Sequence, residues 1–308
     1  MTENTTAAGA RPAGIKRVFF GPQGLRAGWG ALLFVAIVVG TIFGVRAGLH
    51  AIHFHGPKSD PNIADPISSL FQEGMASAAL IFATLIMVLI ERRPLSQLGL
   101  GLRNALPRLV QGLVTGVAAM SALIGLLCLC GAIHVGALAL HGADIWRFGA
   151  EWGGAFLLVG VFEELAFRTY LQQTLARGLN FRWAALIMAA LFTLAHAFNP
   201  GETPMGLAMV FVAALVFSLS VWRSGAVWWI IGFHAAWDWA ESFVYGVADS
   251  GSVSRDVLMA SKPAGPDWLS GGATGPEGSV LALVVMAAMA GIIWLTLRKP
   301  DTDMGVKW

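Results

Sequence analysis

Eight stretches of this 308-residue chain are apolar over about the length a helix needs to cross a bilayer, roughly 20 residues. They fall near 29–49, 70–90, 109–133, 149–176, 183–199, 204–222, 225–247 and 279–297. The composition agrees, with 56% hydrophobic and 12% charged residues. Ordinary soluble domains carry about 25% charged residues, roughly twice as many. The expected fold class is therefore all-α, a polytopic membrane helix bundle with about eight transmembrane helices.

Punctuation divides the runs. "ERRP" at 91–94 stops the second, and "NPGETP" at 199–204 joins the short fifth and sixth into a helical hairpin. The organisation this predicts is a cytosolic N-terminal tail at 1–28, a membrane-embedded bundle at 29–297 and a cytosolic C-terminal tail at 298–308. The first stretch of the N-terminal tail, MTENTTAAGARPAGIKR, lacks the apolar core and small-residue cleavage site of a signal peptide and reads as disordered. The connection 248–278, rich in Gly, Ser and Pro, reads as a mobile outer loop. No internal repeat marks the chain.

Charge sets the orientation. With eight spans and the N-terminus inside, 14 of the 20 basic residues fall on the inner side and five on the outer, leaving Arg168 within a span. That bias predicts both termini in the cytosol. The Ala- and Gly-rich composition points to a bacterial inner (plasma) membrane. A net charge of +2 is too small to suggest nucleic acid as a partner. Cys128 and Cys130 share one apolar run and read as small hydrophobes, not as a disulfide or zinc framework. Trp29, Trp152, Trp183 and Trp222 lie near span ends, as interfacial anchors or packing residues.

Three spans carry polar groups that lipid disfavours by about 2.5–3.5 kcal/mol each. The fourth holds Glu163, Glu164 and Arg168, the fifth His196, and the seventh His234 and Asp238. Counted from Arg177, Arg182 and Arg223 at the inner ends, Glu163, His196, His234 and Asp238 all lie 11–15 residues in. At helical rise that is roughly 16–23 Å for each, one shared level. Glu164 and Arg168 are i and i+4 in the favourable order, so this pair neutralises its own burial, while Glu163 points elsewhere without a partner. His234 and Asp238 are also i and i+4, so Asp238 could fix the tautomer of His234, or both could face one reacting centre. The inner helix ends suggest a cavity opening toward the cytosol or inner leaflet.

The ordered set Glu163-Glu164-x-x-x-Arg168, Phe192-x-x-x-His196 and His234-x-x-x-Asp238 resembles the CPBP family, also called Abi. That family includes the type II CAAX prenyl endopeptidases and bacteriocin-processing or immunity proteins. The resemblance covers about 149–242, and an eight-helix fold suits its prenyl endopeptidase branch. It implies intramembrane peptide-bond hydrolysis with Glu163 as general base, His196 supporting it, His234 and Asp238 stabilising the oxyanion, and Arg168 orienting Glu164. Many relatives carry Asn where this chain has Asp238. An ionised Asp cannot donate to an oxyanion, so Asp238 must be protonated, orient His234 or ligate a metal. Glu163, His196, His234 and Asp238 form an acceptable zinc shell, yet no H-E-x-x-H helix is present. The cofactor is thus none or a divalent metal such as zinc, with a metal-free glutamate site favoured.

The expected partners are a peptide or protein with a membrane-accessible segment, and membrane lipid. A non-enzymatic immunity or scaffold protein retaining the polar cluster is the alternative; a proton-coupled transporter is a third reading, weakened by the missing repeat. "HAIHFH", with His50, His53 and His55, reads as an interfacial loop rather than a metal site, and Glu151 as an interfacial charge. Phe192 and Phe233 are expected to shape the pocket.

Overall fold

The structure is a computed structural model that describes residues 14–22, 24–58, 60 and 63–298. Helix α1 (Lys16–Phe19) and strands β1 (Phe20–Gly21) and β2 (Gly24–Leu25) precede the bundle. Its first half runs α2 (Ala27–Ala51), β3 (Ile63–Ala64), α3 (Pro66–Glu91), α4 (Ala105–Leu129), β4 (Ile133–His134) and α5 (Ala143–Arg168). Then follow α6 (Tyr170–Gly178), α7 (Phe181–His196), α8 (Pro204–Ser224) and α9 (Trp228–Asp238). Beyond these come β5 (Val253–Ser254), β6 (Lys262–Pro263), α10 (Asp267–Ser270) and α11 (Val280–Thr296).

Each apolar run thus becomes a principal helix, and the fold is an all-α, membrane-type bundle. α2, α3, α4 and α8 are long and apolar enough to cross a membrane, whereas α7 and α11 are apolar but shorter. Local chemistry sets several starts. Asp65 accepts from Ser68 N ahead of Pro66, Asn180 from Trp183 N, and Thr203 from Gly206 N ahead of Pro204.

The tightest packing is α9 against α4. Gly112 and Gly116 form a G-x-x-x-G face on α4; a Cβ on Gly112 would lie 2.0 Å from Trp229 O, and one on Gly116 2.3 Å from Phe233 O. Small residues at this spacing let two helix backbones touch where no hydrophobic drive separates helix from lipid. Gly160 brings α5 onto the other side of α9, where an added Cβ would meet Ile231 O at 3.0 Å. α9 is therefore held between α4 and α5.

Several expectations need correction. The fourth run is not one rod: α5 ends at Arg168, Thr169 leaves helical geometry at φ −99°, ψ −108°, and α6 begins separately. The count from Arg177 to Glu163 therefore does not measure depth along one axis. The connection 248–278 folds into a cap over one end of the bundle. β5 pairs in parallel with β3, β6 pairs antiparallel with β4, and Leu258 N donates to Phe243 O. Backbone pairing supplies the order that side-chain periodicity did not announce. Of the N-terminal tail, Lys16–Phe19 form α1, Phe20–Gly21 pair antiparallel with Gly24–Leu25, and Trp29 Nε1 donates to Val18 O. Residues 1–13 and 299–308 lie outside the described residues, as do the tail expectations that fall on them. Trp152 is buried and donates to Arg255 O, so it is a packing residue.

Candidate active site

Helices α5, α7 and α9 and the cap converge on a cavity of about 290 Å³. Glu163 enters it from α5, Phe192 and His196 from α7, and His234 and Asp238 from the end of α9. The four residues singled out from sequence as catalytic thus share one chamber. Phe192 lines it too, but Phe233 is buried between Phe217, Trp229 and Trp237 and packs behind it.

His234 is the geometric centre. Its Nδ1 lies 2.9 Å from Glu164 Oε1, and its Nε2 lies 3.6 Å from both Glu163 Oε2 and Asp238 Oδ2. The first contact is a charge-assisted hydrogen bond. The other two are too long for hydrogen bonds, and Glu163 Oε2 is buried with no hydrogen-bond partner. A carboxylate only accepts, so Nδ1 carries the proton in the Glu164 contact and Nε2 is turned to the cavity. Asp238 is not the group that holds Nδ1; Glu164 is.

Glu164 has a second partner. Its Oε1 lies 3.2 Å from Arg168 Nη1, with both side chains essentially excluded from solvent. The Arg168 guanidinium sits 4.1 Å from the Phe192 ring centre and 5.3 Å from that of Phe217. Ring faces favour the cation where water cannot. One carboxylate therefore ties an arginine on its own helix to an imidazole on α9.

His196 is fixed by a different device. Its Nδ1 lies 2.9 Å from Phe192 O. A carbonyl only accepts, so Nδ1 is the donor and Nε2 of the neutral ring is an acceptor. Its ring centroid stands 4.3 Å from that of Phe192, which also covers Arg168.

The proposed zinc ligands do not draw together around one point. Ligands about 2.0–2.2 Å from zinc lie about 3.4 Å from one another in a tetrahedron. Glu163 and Asp238 approach His234 Nε2 from separate sides, and the four residues do not bring their donor atoms within 4.8 Å of one another. This arrangement does not fit a single four-ligand zinc ion, so the chemistry below uses the side chains alone.

The cavity lies toward the α7–α8 turn and the cap, since Asn199, Asp249, Ser250, Ser252 and Glu277 also line it. That is the end opposite Arg182 and Arg223. The expected opening at the inner ends is thus reversed. The helical rise already implied it, because about 16–23 Å from one face of a core about 30 Å thick is nearer the other face.

Sequence reading missed four acids here. Glu73 on α3 lines the cavity with a buried, unpartnered Oε2; Asp249 and Glu277 reach it from the cap, and Glu241 lies buried just beyond α9. Glu73 and Glu241 sit inside apolar runs and were open to the same test that found Glu163. Burial pushes the Asp249 carboxyl well above the usual carboxylate range and also raises that of Glu277. His50, His53 and His55 are exposed at the end of α2, and Glu151 pairs with Arg147 at 3.0 Å.

No curated protein and no solved structure matches the chain. Residues 144–240, the stretch that supplies Glu163, Glu164, Arg168, His196, His234 and Asp238, match the family model Rce1-like, described as type II CAAX prenyl endopeptidase Rce1-like.

Proposed function

We propose that this chain is an intramembrane endopeptidase in which Glu163 activates the attacking water. The observation that carries this reading is the separate fixing of two imidazoles, His196 by Phe192 O and His234 by Glu164, in the cavity that Glu163 enters with a buried oxygen free of hydrogen bonds. Nothing about helix packing alone requires both rings to turn Nε2 away from their anchors.

The chemistry follows from those orientations. Water bound beside Glu163 gives one proton to the carboxylate and hydrogen-bonds through the other to His196 Nε2. Its oxygen attacks the peptide carbonyl. In its cationic form His234 keeps Nδ1–H on Glu164 and directs Nε2–H at the developing oxyanion. Asp238, when protonated, supplies a second donor. Donors fixed in advance in a dry site contribute about 2.7–4 kcal/mol each. Glu163 then passes its proton to the leaving amine as the C–N bond breaks, and is restored as a carboxylate. Arg168 balances Glu164 and acts only through it.

The substrate is a peptide or protein with a membrane-accessible segment, such as a leader peptide, a peptide pheromone or a membrane-protein tail. The eight principal helices act as eight crossings of a bacterial inner membrane with both termini cytosolic, and the cavity then opens on the far side. The test is mass spectrometry of peptide products from purified protein beside Glu163→Gln. Gln keeps the volume but cannot accept the proton, so cleavage falls by about 10²–10⁴-fold while melting is unchanged. Cleavage by Glu163→Gln at the wild-type rate would overturn the assignment and favour a scaffold that tolerates the isosteric change.

A further inference from the structure

A second constellation stands where α9 meets the cap. Beyond Asp238 the helix widens into a π-helical turn, Trp239–Val244, that carries Glu241. π turns are rare and concentrate at functional positions. Glu241 is fully buried, and neither of its carboxylate oxygens has a hydrogen-bond partner. Asp249 and Glu277 reach the same place from the cap, so that one carboxylate oxygen from each of the three lies within 4.8 Å of the others. Ser242 Oγ donates to Asp249 Oδ2 at 3.1 Å, and Ser250 Oγ donates to Glu277 Oε1. Among the described residues none of the three forms an ion pair.

Acidic clusters on a surface are solvated and need no ligand. This one differs in Glu241, a carboxyl cut off from water, placed beside two others, with neither oxygen in a hydrogen bond of good geometry. Such a group either keeps its proton or takes a positive partner at that point. We propose that Glu241, Asp249 and Glu277 form a binding site for one divalent cation of the oxygen-preferring class, with calcium the best fit.

The donor set selects the class. All three ligands are carboxylates, with hydroxyls close by, and hard oxygens suit calcium, magnesium and manganese rather than zinc or copper. Ligand number narrows it further. Magnesium keeps several waters and is usually held by one or two carboxylates, whereas calcium takes a larger, more flexible shell of protein oxygens. Three carboxylates gathered within 4.8 Å of one another suit calcium. Bound there, the cation would join the end of the helix bearing His234 to the cap. The proposal does not depend on peptidase activity, since none of its ligands is Glu163, His196 or His234, although Asp249 and Glu277 also line the cavity those residues enter.

The experiment uses the full chain, purified in detergent and stripped with a chelator, with calcium binding followed by equilibrium dialysis and by thermal melting. Wild type is expected to bind one calcium per chain and to melt several degrees higher when it does. Glu241→Gln keeps the volume but cannot become a carboxylate ligand, so it should melt close to the stripped wild type, bind calcium about tenfold or more weakly and lose the calcium-dependent rise. Asp249→Asn carries the same comparison if Glu241→Gln does not fold, and His234→Ala should bind calcium as wild type does. Three results each overturn the proposal: no binding by wild type at millimolar calcium, wild-type binding by both carboxamide variants, or loss of binding through His234→Ala.

Discussion

Arg168 tests the difference between holding a site together and doing its chemistry. Arg168→Met removes the guanidinium that lies 3.2 Å from Glu164 and leaves a buried carboxylate with one partner, His234 at 2.9 Å. Breaking a buried pair on one side costs about 3–5 kcal/mol. Because His234 remains as a donor, the lower end applies, and about 3 kcal/mol at roughly 2–4 °C per kcal/mol gives a melting temperature lower by about 6–12 °C. The double variant Arg168→Met/Glu164→Gln removes both charges and should recover most of that loss, since a buried pair replaced by neutral groups of similar volume is often no less stable. Its Gln oxygen still accepts from Nδ1, but the counter-charge for a cationic His234 is gone, so cleavage stays low. Melting in detergent, membrane yield and peptide cleavage across the wild type and these two variants separate the effects. An Arg168→Met protein that melts with wild type refutes the reasoning, and so does a double variant that melts no higher than the single one.

Asp238→Asn should keep much of the cleavage activity and remain insensitive to a zinc-selective chelator with calcium present, because Asn supplies the donor that protonated Asp238 supplies; activity that collapses and returns with added zinc would reinstate a metal role. Arg103→Cys should react with a membrane-impermeant thiol reagent from the cytosolic side only, and Ser252→Cys at the cavity rim from the opposite side only. Labelling of both from the same side would remove the topology on which the cavity's orientation rests.

The bundle was legible because lipid imposes a one-dimensional rule, and apolar length finds helices without any knowledge of contacts. The polar cluster was legible for a related reason: Glu163, Glu164, Arg168, His196, His234 and Asp238 stand out where charge is costly. What sequence could not supply was mutual geometry. Helical spacing paired His234 with Asp238, while the hydrogen bond at Nδ1 runs across helices to Glu164, 70 positions away. The cap was illegible because two-residue strands carry no periodicity and their partners, Ile63–Ala64 and Ile133–His134, are far apart in sequence. Asp249 and Glu277 were lost with it. Thr169, which ends α5, gives no Pro or Gly signal.

The glycine contacts that seat α9 between α4 and α5 have a mechanical consequence. Backbone against backbone leaves no side chains to rearrange, so the wall bearing His234 behaves as an anvil. The opposite wall is a hairpin, α7–α8, whose turn holds to the cap through Asn199 Nδ2 and Ser250 O at 3.0 Å. His196 is the last residue of α7, at the hinge of that hairpin. Any adjustment of the cavity's width therefore falls to side chains and to this hairpin rather than to the backbone that carries His234.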